Sequence, residues 1–478
     1  MPCHRSRWAT FRDTKKFLSA HYDNMTTMKT HSTRPFWQQF LLFLLPLIAT
    51  NILQSLSGTI NTIFVGQMMG VNAIAAISVF FPILFCLMAF IIGLSAGATV
   101  LVGQAWGKGE KEQVQAITGA TLFMTLIGGI IIAAFGVYFA QDILLGLGTD
   151  PILLPLSLPY VQTMLAGSPI LFVYIIYTSI LRGVGDSKTP LLALGLTSGI
   201  GLVVTPTLIK GWFGLPQLGI LAPAVATILG YVFVLLFLTV YLNRRRHILS
   251  INAHLLSHIR FSPTLSPLIL KLGVPTGIQM VTNSLAGLVI IGLVNGFGPQ
   301  ATAAYGAVNQ VNNYVQFPAM SISIAASIFA AQAIGSGQIQ RLAKVTLTAL
   351  SMNLYLTGSL IVLAYLFSEH LMALFITDAA VVKLGGELLH IVLWSVLFFG
   401  AGGIFAGIMR ASGTVLVPML INMVAVLGIE LPMAYWFSHI WGLHGIWMAY
   451  ALSFVCLCIM QGQYYHWVWK KKSIQALV

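Results

Sequence analysis

Charged side chains are scarce in this sequence. Of its 478 residues, only 7% are Asp, Glu, Lys or Arg, whereas an ordinary soluble domain carries about 25%. Hydrophobic residues make up 58% of the chain, and a water-soluble fold of this length cannot cover itself with so few charges. Apolar stretches of about 20 residues, the length that crosses a hydrocarbon core, recur along nearly the whole chain. The sequence therefore predicts an all-α integral membrane protein.

Acidic residues and cysteines are also few. The chain has 11 Asp and Glu together and four Cys, and no two of the cysteines have zinc-finger spacing. Gly107-Lys108-Gly109 lacks the GxxxxGK[ST] spacing of a phosphate-binding loop, and no strand is predicted before it. The sequence also contains no recognisable catalytic triad. We therefore expect no enzyme activity, no metal site, no cofactor and no coupling to ATP.

Hydropathy predicts twelve transmembrane helices, which we call spans 1 to 12. Their approximate limits are 38–64, 74–104, 114–140, 153–181, 190–210, 217–242, 266–296, 301–333, 342–367, 385–409, 415–437 and 444–469. The polar, basic segment 1–35 has no apolar core of a secretory signal and is predicted to be a cytosolic tail. Segments 243–265 and 471–478 are predicted to be a cytosolic linker and a second cytosolic tail.

The positive charge of the chain is distributed as in a multi-pass membrane protein. With the N-terminus inside, 22 of the 24 Lys and Arg residues lie on the inner side, and only Lys210 and Lys383 lie outside. Basic residues concentrate in cytoplasmic segments, where they set the orientation. We therefore expect both termini to be cytoplasmic, and we attribute the net charge of +13 to topology rather than to nucleic-acid binding.

The chain contains an internal repeat with an offset near 228 residues. The matches are Gln104 to Gly109 with Gln332 to Gly337, Arg182, Gly185 and Pro190 with Arg410, Gly413 and Pro418, Ala73, Ala75 and Ala76 with Ala301, Ala303 and Ala304, Pro46 with Pro275, and Gly219-Ile220 with Gly445-Ile446. Each half has six spans, an even number, so both halves insert the same way up. We expect two six-helix bundles, 36–242 and 266–470, related by a pseudo-two-fold axis along the membrane normal. Many transporters have this arrangement, although channels and receptors also arise by duplication.

The repeated segments resemble the multidrug and toxic compound extrusion (MATE) family, in its DinF-like branch. The matching segments are Leu45-Pro46, Asn61 to Gly66, Gly107 to Gly109, Leu181 to Pro190, Leu218 to Ile220, Ala303 to Gly306 and Leu443 to Ile446. The resemblance implies a monomeric exporter in the bacterial inner membrane, in which inward protons or sodium ions drive the efflux of small amphipathic or cationic compounds. The wider superfamily also contains flippases for lipid-linked substrates.

One acidic residue, Glu430, lies well inside an apolar span. An ionisable group there is costly and is therefore a functional candidate. The resemblance places family aspartates where this chain has Asn61 and Thr205, and a glutamate of sodium-coupled relatives where it has Asn283. These three neutral side chains cannot carry a proton, and the repeat aligns Glu430 beside Thr205. We predict Glu430, together with the aligned positions Asn61, Thr205 and Asn283, as the ion-coupling residues; the alternative for Glu430 is a structural carboxylate near the outer interface.

Neutral polar side chains follow single faces of three spans. They are Asn51, Gln54 and Asn61 in span 1, on one face with Gly58; Gln279 and Asn283 in span 7; and Asn309, Asn312, Asn313 and Gln316 in span 8. Such faces avoid lipid, so they line a wet cavity or bond to other helices. For span 8 we favour the cavity, because four amides exceed what packing usually needs.

Aromatic residues and prolines complete the candidate set. Tyr174 and Tyr177, with Tyr160 and Tyr305, could present ring faces to cationic compounds, although aromatic residues in spans more often serve packing. Pro46 and Pro275 occupy matched positions in spans 1 and 7, and each removes a helix hydrogen bond and favours a kink. Bending of span 1 accompanies cavity closure in the family; a static kink is the alternative.

Three functions remain open at this stage. The first is a secondary antiporter for small compounds, and the second is a flippase for a lipid-linked substrate. A flippase would need cations in its central cavity, whereas nearly every Lys and Arg of this chain lies in a loop or at a helix end. The third is a sensor or scaffold that has lost coupling, which the missing aspartates allow.

Overall fold

The computed structural model describes residues 34–478, which are almost entirely helical. Eleven helices are long and apolar enough to cross a membrane, and a twelfth span consists of two helices that meet at 48°. Residues 34–478 contain no strand. The prediction of an all-α membrane fold with twelve spans is confirmed. The predicted tail 1–35 lies, apart from its last two residues, outside the described residues.

The spans keep their predicted order. Their bounds are Phe36–Met69, Asn72–Lys108, Lys111–Tyr138, Leu154–Ala166 with Ser168–Gly183, Lys188–Lys210, Gly219–Arg244, Leu265–Asn295, Pro299–Gly335, Arg341–Leu366, Ala379–Ala411, Leu416–Trp441 and Leu443–Lys471. Short helices between them are Ala140–Gly146, Ala253–Ser257 and Ser368–Ala373. Residues 34–42 include the start of span 1, and the packing described below lies within residues 43–478.

Four spans end in the same glycine turn. The glycines are Gly109, Gly185, Gly337 and Gly413, with φ of 85, 91, 70 and 85°. After span 4, the N–H of Asp186 donates to the Leu181 carbonyl at 3.0 Å, and the N–H of Gly185 donates to the Arg182 carbonyl at 2.9 Å. This pair of bonds is the Schellman ending, which needs a left-handed residue that only glycine supplies without strain. The strongest part of the sequence repeat is therefore a repeat of helix ends.

Glycines also bring spans 2 and 7 together. Gly93 and Gly97 of span 2 face Gly273 and Gly277 of span 7, four residues apart in each helix. A Cβ atom on Gly93 would lie 2.7 Å from the carbonyl oxygen of Gly273, and one on Gly273 would lie 2.7 Å from that of Gly93. Paired glycines at this spacing let helix backbones touch inside a membrane. This contact joins the first six spans to the last six.

Two buried glutamines link the halves reciprocally. The Gln104 side-chain amide donates to the Ala411 carbonyl, 2.7 Å away, at the end of span 10. The Gln332 amide donates to the Gly183 carbonyl, 3.0 Å away, at the end of span 4. Carbonyls at helix C-termini have no partner within their own helix, so each half caps a helix of the other. We call these two bonds the glutamine clasp.

Candidate functional site

Span 11 is irregular where it carries its acidic residue. It begins as an α-helix at Leu416–Met423, widens into a π-helix over Val424–Glu430 and returns to an α-helix at Leu431–Trp441. Pro432 has no N–H to complete the α-helical bond to the carbonyl four residues earlier, and its ring crowds that carbonyl. A wider turn relieves this conflict, and such turns often occur at functional sites.

The carboxyl group of Glu430 lies at the end of the widened turn and faces the protein. Its side chain is 6% exposed, and it is the only buried Asp, Glu, Lys or Arg among residues 34–478. Within residues 34–478, no cation forms a salt bridge with the Glu430 carboxyl. The carboxyl lies beside the Ser453 hydroxyl of span 12, which itself donates to the Ala425 carbonyl at 3.1 Å.

Three aromatic side chains form a cluster, and one of them, Tyr450, interacts with this carboxyl. The Tyr305 and Tyr450 hydroxyl oxygens, from spans 8 and 12, are 3.1 Å apart, and Tyr450 interacts electrostatically with Glu430. The Trp447 ring centroid lies 5.2 Å from that of Tyr305 and 5.4 Å from that of Tyr450. The indole N–H of Trp447 is buried and has no partner among the described residues. The acidic site is therefore lined by hydroxyl groups rather than by cations.

Sequence reasoning missed most of this cluster. Glu430 and Tyr305 were candidates, but Trp447, Tyr450 and Ser453 were not. These three follow i, i+3 and i+6 along span 12, one helical face with polar atoms at each step. That periodicity was readable in the sequence, but only the packing of span 12 on the widened turn shows which residue it faces.

The three neutral residues at the family's charged positions lie on separate spans. Thr205 is buried in span 5 at 1% exposure. Asn61 is half-buried in span 1, and Asn283 is exposed on span 7. Among the described residues, no hydrogen bond or ion pair joins them to Glu430, and their part in coupling stays a prediction.

The polar faces of spans 1 and 8 meet at one point. The Asn51 amide donates to the Ser321 hydroxyl at 2.9 Å, which joins the two halves. Gln54 is exposed and Gln279 is half-buried. One amide of span 1 therefore bonds to a neighbouring helix, and the cavity role of the others remains a prediction.

The amides of span 8 face different surroundings. Asn312 and Gln316 are buried, Asn309 is half-buried and Asn313 is exposed. The Asn312 side-chain oxygen is buried without a partner among the described residues. A buried carbonyl oxygen of this kind needs a donor, and water in a polar cavity would supply one. The predicted cavity role of this face remains a prediction.

Two of the candidate tyrosines are packed in the first half. Tyr174 stacks with Tyr231, with ring centroids 4.6 Å apart, and the Tyr177 hydroxyl donates to the Leu249 carbonyl of the linker. Both rings are buried, and in this conformation they serve packing. Pro46 and Pro275 lie inside continuous helices, Phe36–Met69 and Leu265–Asn295, and the predicted kinks stay predictions. The bend that the structure does show, in span 4, lies at Gly167, two residues before Pro169.

Comparisons with known proteins fit this architecture. The MatE family profile matches the chain twice, at residues 46–207 and 275–436. The probable multidrug resistance protein YoeA of Bacillus subtilis is 41% identical over 92% of this chain and 96% of its own length. The FAD transporter of Shewanella oneidensis is 27% identical over 82% of this chain and 86% of its own.

A solved structure shows the same fold. A mutant of the MATE transporter VcmN of Vibrio cholerae superposes with a TM-score of 0.83, at 18% identity, over 92% of this chain and 98% of that one. The family match covers more than half of the chain, and the twelve-span architecture agrees with it. The chain therefore belongs to the MATE family of multi-pass membrane transporters and is not an enzyme.

Proposed function

We propose that this chain is a secondary antiporter that exports small amphipathic or cationic compounds by alternating access, with Glu430 as its ion-coupling group. We place it in the bacterial inner membrane as a monomer, with both termini in the cytoplasm. The names of relatives such as YoeA support the substrate class. The distribution of Lys and Arg supports the orientation.

The observation that carries the proposal is the isolation of the Glu430 carboxyl. It is buried inside a span, no salt bridge neutralises it within residues 34–478, and it lies on a π turn. A charge at membrane depth costs several kcal/mol, so a lone carboxyl there is stable only when an ion neutralises it. Occupancy by that ion then determines which conformation the surrounding helices prefer.

A proton suits this site better than a sodium ion. Sodium needs several oxygen ligands around it, whereas the described neighbours of the carboxyl are the hydroxyls of Ser453 and Tyr450. A single carboxyl can bind a proton without further ligands. We therefore propose inward proton movement as the drive, and the experiment below separates it from sodium.

Other functions fit the site less well. A flippase would hold the phosphates of its lipid-linked substrate with cations, but Arg182 and Arg410 lie in the last turns of spans 4 and 10, and other basic residues lie in loops or near helix ends. A sensor or scaffold without coupling would not need a titratable group at this depth, where a charge is costly. Efflux is the function that the geometry supports best.

The test is dye efflux in inverted membrane vesicles, with proton and sodium gradients imposed separately. For the wild type we expect efflux with the proton gradient alone. Glu430→Gln keeps the shape of the side chain but carries no titratable group. We expect this variant to insert into the membrane normally and to show no more proton-driven efflux than vesicles that lack the protein. Full efflux by Glu430→Gln would exclude the coupling role.

The matched control is Glu369→Gln, which changes an exposed carboxyl of the same half. We expect wild-type efflux from this variant. Efflux by the wild type with the sodium gradient alone would replace the proton with sodium as the coupling ion. Efflux with neither gradient would contradict the antiporter assignment altogether.

A further inference from the structure

We propose that the Tyr305–Tyr450 hydroxyl pair conducts protons between the predicted outer surface and the Glu430 carboxyl. This proposal rests on the proposed function, because it names the route to the same group. It adds two relay residues that the sequence analysis did not assign.

Depth places the hydroxyl pair between Glu430 and the predicted outer face. Tyr305 and Tyr450 lie near the outer starts of spans 8 and 12, which begin at Pro299 and Leu443. At 1.5 Å per helical residue, the pair is about 10 Å below these ends, whereas Glu430 is about 16 Å below the outer end of span 11. A proton that enters from outside therefore meets the hydroxyl pair first.

The pair has the chemistry of a relay. Each phenol hydroxyl both donates and accepts, and the two oxygens are 3.1 Å apart. Ser453 lies one helical turn deeper than Tyr450 and beside the carboxyl. The indole N–H of Trp447, whose ring contacts both tyrosine rings, needs an acceptor, and a buried water would provide one. Such a water would close the remaining gap in the path.

The transfer balances without any other reactant. A proton reaches the Tyr305 oxygen from the outer side as the Tyr305 hydroxyl proton passes to the Tyr450 oxygen. The Tyr450 hydroxyl proton passes, directly or through the water at Trp447, to the Glu430 carboxylate. Both phenols end neutral and unchanged, and the carboxyl becomes neutral. The reverse sequence releases the proton.

The test uses Tyr450→Phe and Tyr305→Phe, which keep the rings and remove the hydroxyls. Proton uptake is followed with a pH-sensitive dye trapped in proteoliposomes, in H2O and in D2O. We expect uptake to slow by at least about tenfold in either variant, the range in which positioned proton donors act. We also expect the solvent isotope effect to change, while the dissociation constant of the exported dye stays within about twofold. A role in packing alone would leave the isotope effect unchanged.

Tyr365→Phe is the matched control, since the Tyr365 hydroxyl also bonds at the outer end of the second half, to the His390 carbonyl. It should leave uptake unchanged. If Glu430→Gln is inactive while both tyrosine variants keep the wild-type rate and isotope effect, the relay is wrong and the proposed function stands. If Glu430→Gln still transports with the proton gradient, the proposed function itself fails.

A second inference rests on a separate observation, the path of the chain after span 12. The backbone N–H of Leu477 donates to the side-chain oxygen of Gln104, at 2.7 Å. The Leu477 side chain lies against Gly413, where an added Cβ would be 3.0 Å from its Cδ1 atom. Val478 packs against the core of the first half. Residues 472–478 thus touch both halves at the glutamine clasp.

We infer that residues 472–478 form a strap that holds the clasp closed. Gln104 uses both ends of its amide, since its nitrogen donates to the second half and its oxygen accepts from the strap. Trp469 anchors the start of the strap, because its ring is 2% exposed and its N–H donates to the Ser412 hydroxyl at 2.9 Å. Separation of the halves on this side requires the strap to leave one of them.

The test measures the distance between spin labels on Lys111→Cys and Gln340→Cys, exposed positions of the two halves, in a chain whose own cysteines are serine. Leu477→Pro removes the N–H that Gln104 accepts, and removal of residues 473–478 is the second variant. We expect either variant to increase the ratio of the long-distance to the short-distance population by about fivefold. This is the change in an equilibrium constant that the loss of one hydrogen bond produces. Gln475→Pro, at an exposed position of the same segment, is the control. A wild-type ratio in both variants, or equal shifts from the two prolines, would overturn the strap.

Discussion

Spans 5 and 11 occupy matching places in the repeat, and yet they differ in backbone and in chemistry. Span 5 stays α-helical through Pro206, whereas span 11 widens into a π turn before Pro432. The buried residue near the proline is neutral Thr205 in one and Glu430 in the other. A proline in this position is therefore not sufficient for a π turn. In span 11, the Ser453 hydroxyl of span 12 donates to the Ala425 carbonyl inside the widened turn.

The side chains around the two spans differ as well, because the tyrosine hydroxyl pair near Glu430 has no counterpart at the matching positions of the first half. With the offsets of the repeat, the positions of Tyr305 and Tyr450 correspond to Ile77 and Ala224 in the first half. Neither of these side chains can pass a proton. The two halves thus share the glycine turns at their helix ends and the glutamine bonds between them. Among residues 34–478, only the second half has hydroxyl groups near a buried carboxyl. The predictions below test that difference.

The largest effect should come from moving the carboxyl to the first half. In the double variant Glu430→Gln, Thr205→Glu, we expect proton-driven dye efflux to remain at the level of empty vesicles. The new carboxyl would lie in a regular helix without the hydroxyl pair beside it. Recovery of efflux to even about a third of the wild-type rate would show that the two halves are interchangeable for coupling.

A smaller but still large effect is expected from deletion of Gly428. Removal of one residue from the widened turn favours a regular α-helix and changes the directions of the side chains inside the turn. Glu430 then turns away from Ser453, and we expect proton-driven efflux to fall by at least about tenfold at normal membrane yield. Gly428→Ala keeps the residue count and is the control. Equal activity of both would mean that the π turn is dispensable.

An alanine at the contact between the halves should destabilise the protein, whereas an alanine at an open position of span 5 should not. The expected effect is intermediate in size. A Cβ atom on Gly335 would lie 1.9 Å from the Gln104 carbonyl oxygen, so Gly335→Ala must displace backbone. We expect a loss of about 1–3 kcal/mol, seen as a lower midpoint of thermal unfolding in detergent. Gly199→Ala in span 5, where nothing lies within 4 Å of the added atom, should not lower the midpoint. Similar midpoints for both would contradict the close approach of the helices.

The smallest effect is expected from Thr205→Val. The change removes a buried hydroxyl of span 5 and at most one hydrogen bond, about 1 kcal/mol. We expect proton-driven efflux within about twofold of the wild type in the vesicle assay, because the proposed coupling carboxyl lies in the other half. Loss of efflux at normal protein yield would assign a coupling role to the first half as well.

Much of the fold was predictable because it depends on local composition. Long apolar segments must form helices in lipid, since all backbone groups need partners there. Span ends were predictable to a few residues, and the repeated glycines mark four of them through a positive φ that other residues avoid. The bend of span 4 at Gly167 was missed, since a single hydrophobic stretch covers both of its helices.

The candidate site was predictable only at its centre. Glu430 stands out in the sequence because a carboxyl in an apolar stretch is rare and costly. The widened turn was not predictable, since Pro206 and Pro432 both lie within apolar stretches, and only the second has it. The sequence also could not show which amides bond to another helix, because Asn51 and its partner Ser321 are 270 residues apart in sequence.

The glutamine clasp has a consequence for how the protein switches. Each half supplies the hydrogen-bond donor that satisfies a helix end of the other, so neither bond can survive when the halves part. Both would break in one motion, together with the contacts of Gly107 and Gly335, whose added Cβ atoms would lie 2.1 and 1.9 Å from the backbone of the opposite half. Partly opened forms then keep few of these contacts and leave polar groups unpaired. Such an arrangement favours an all-or-none transition between two states over a gradual opening.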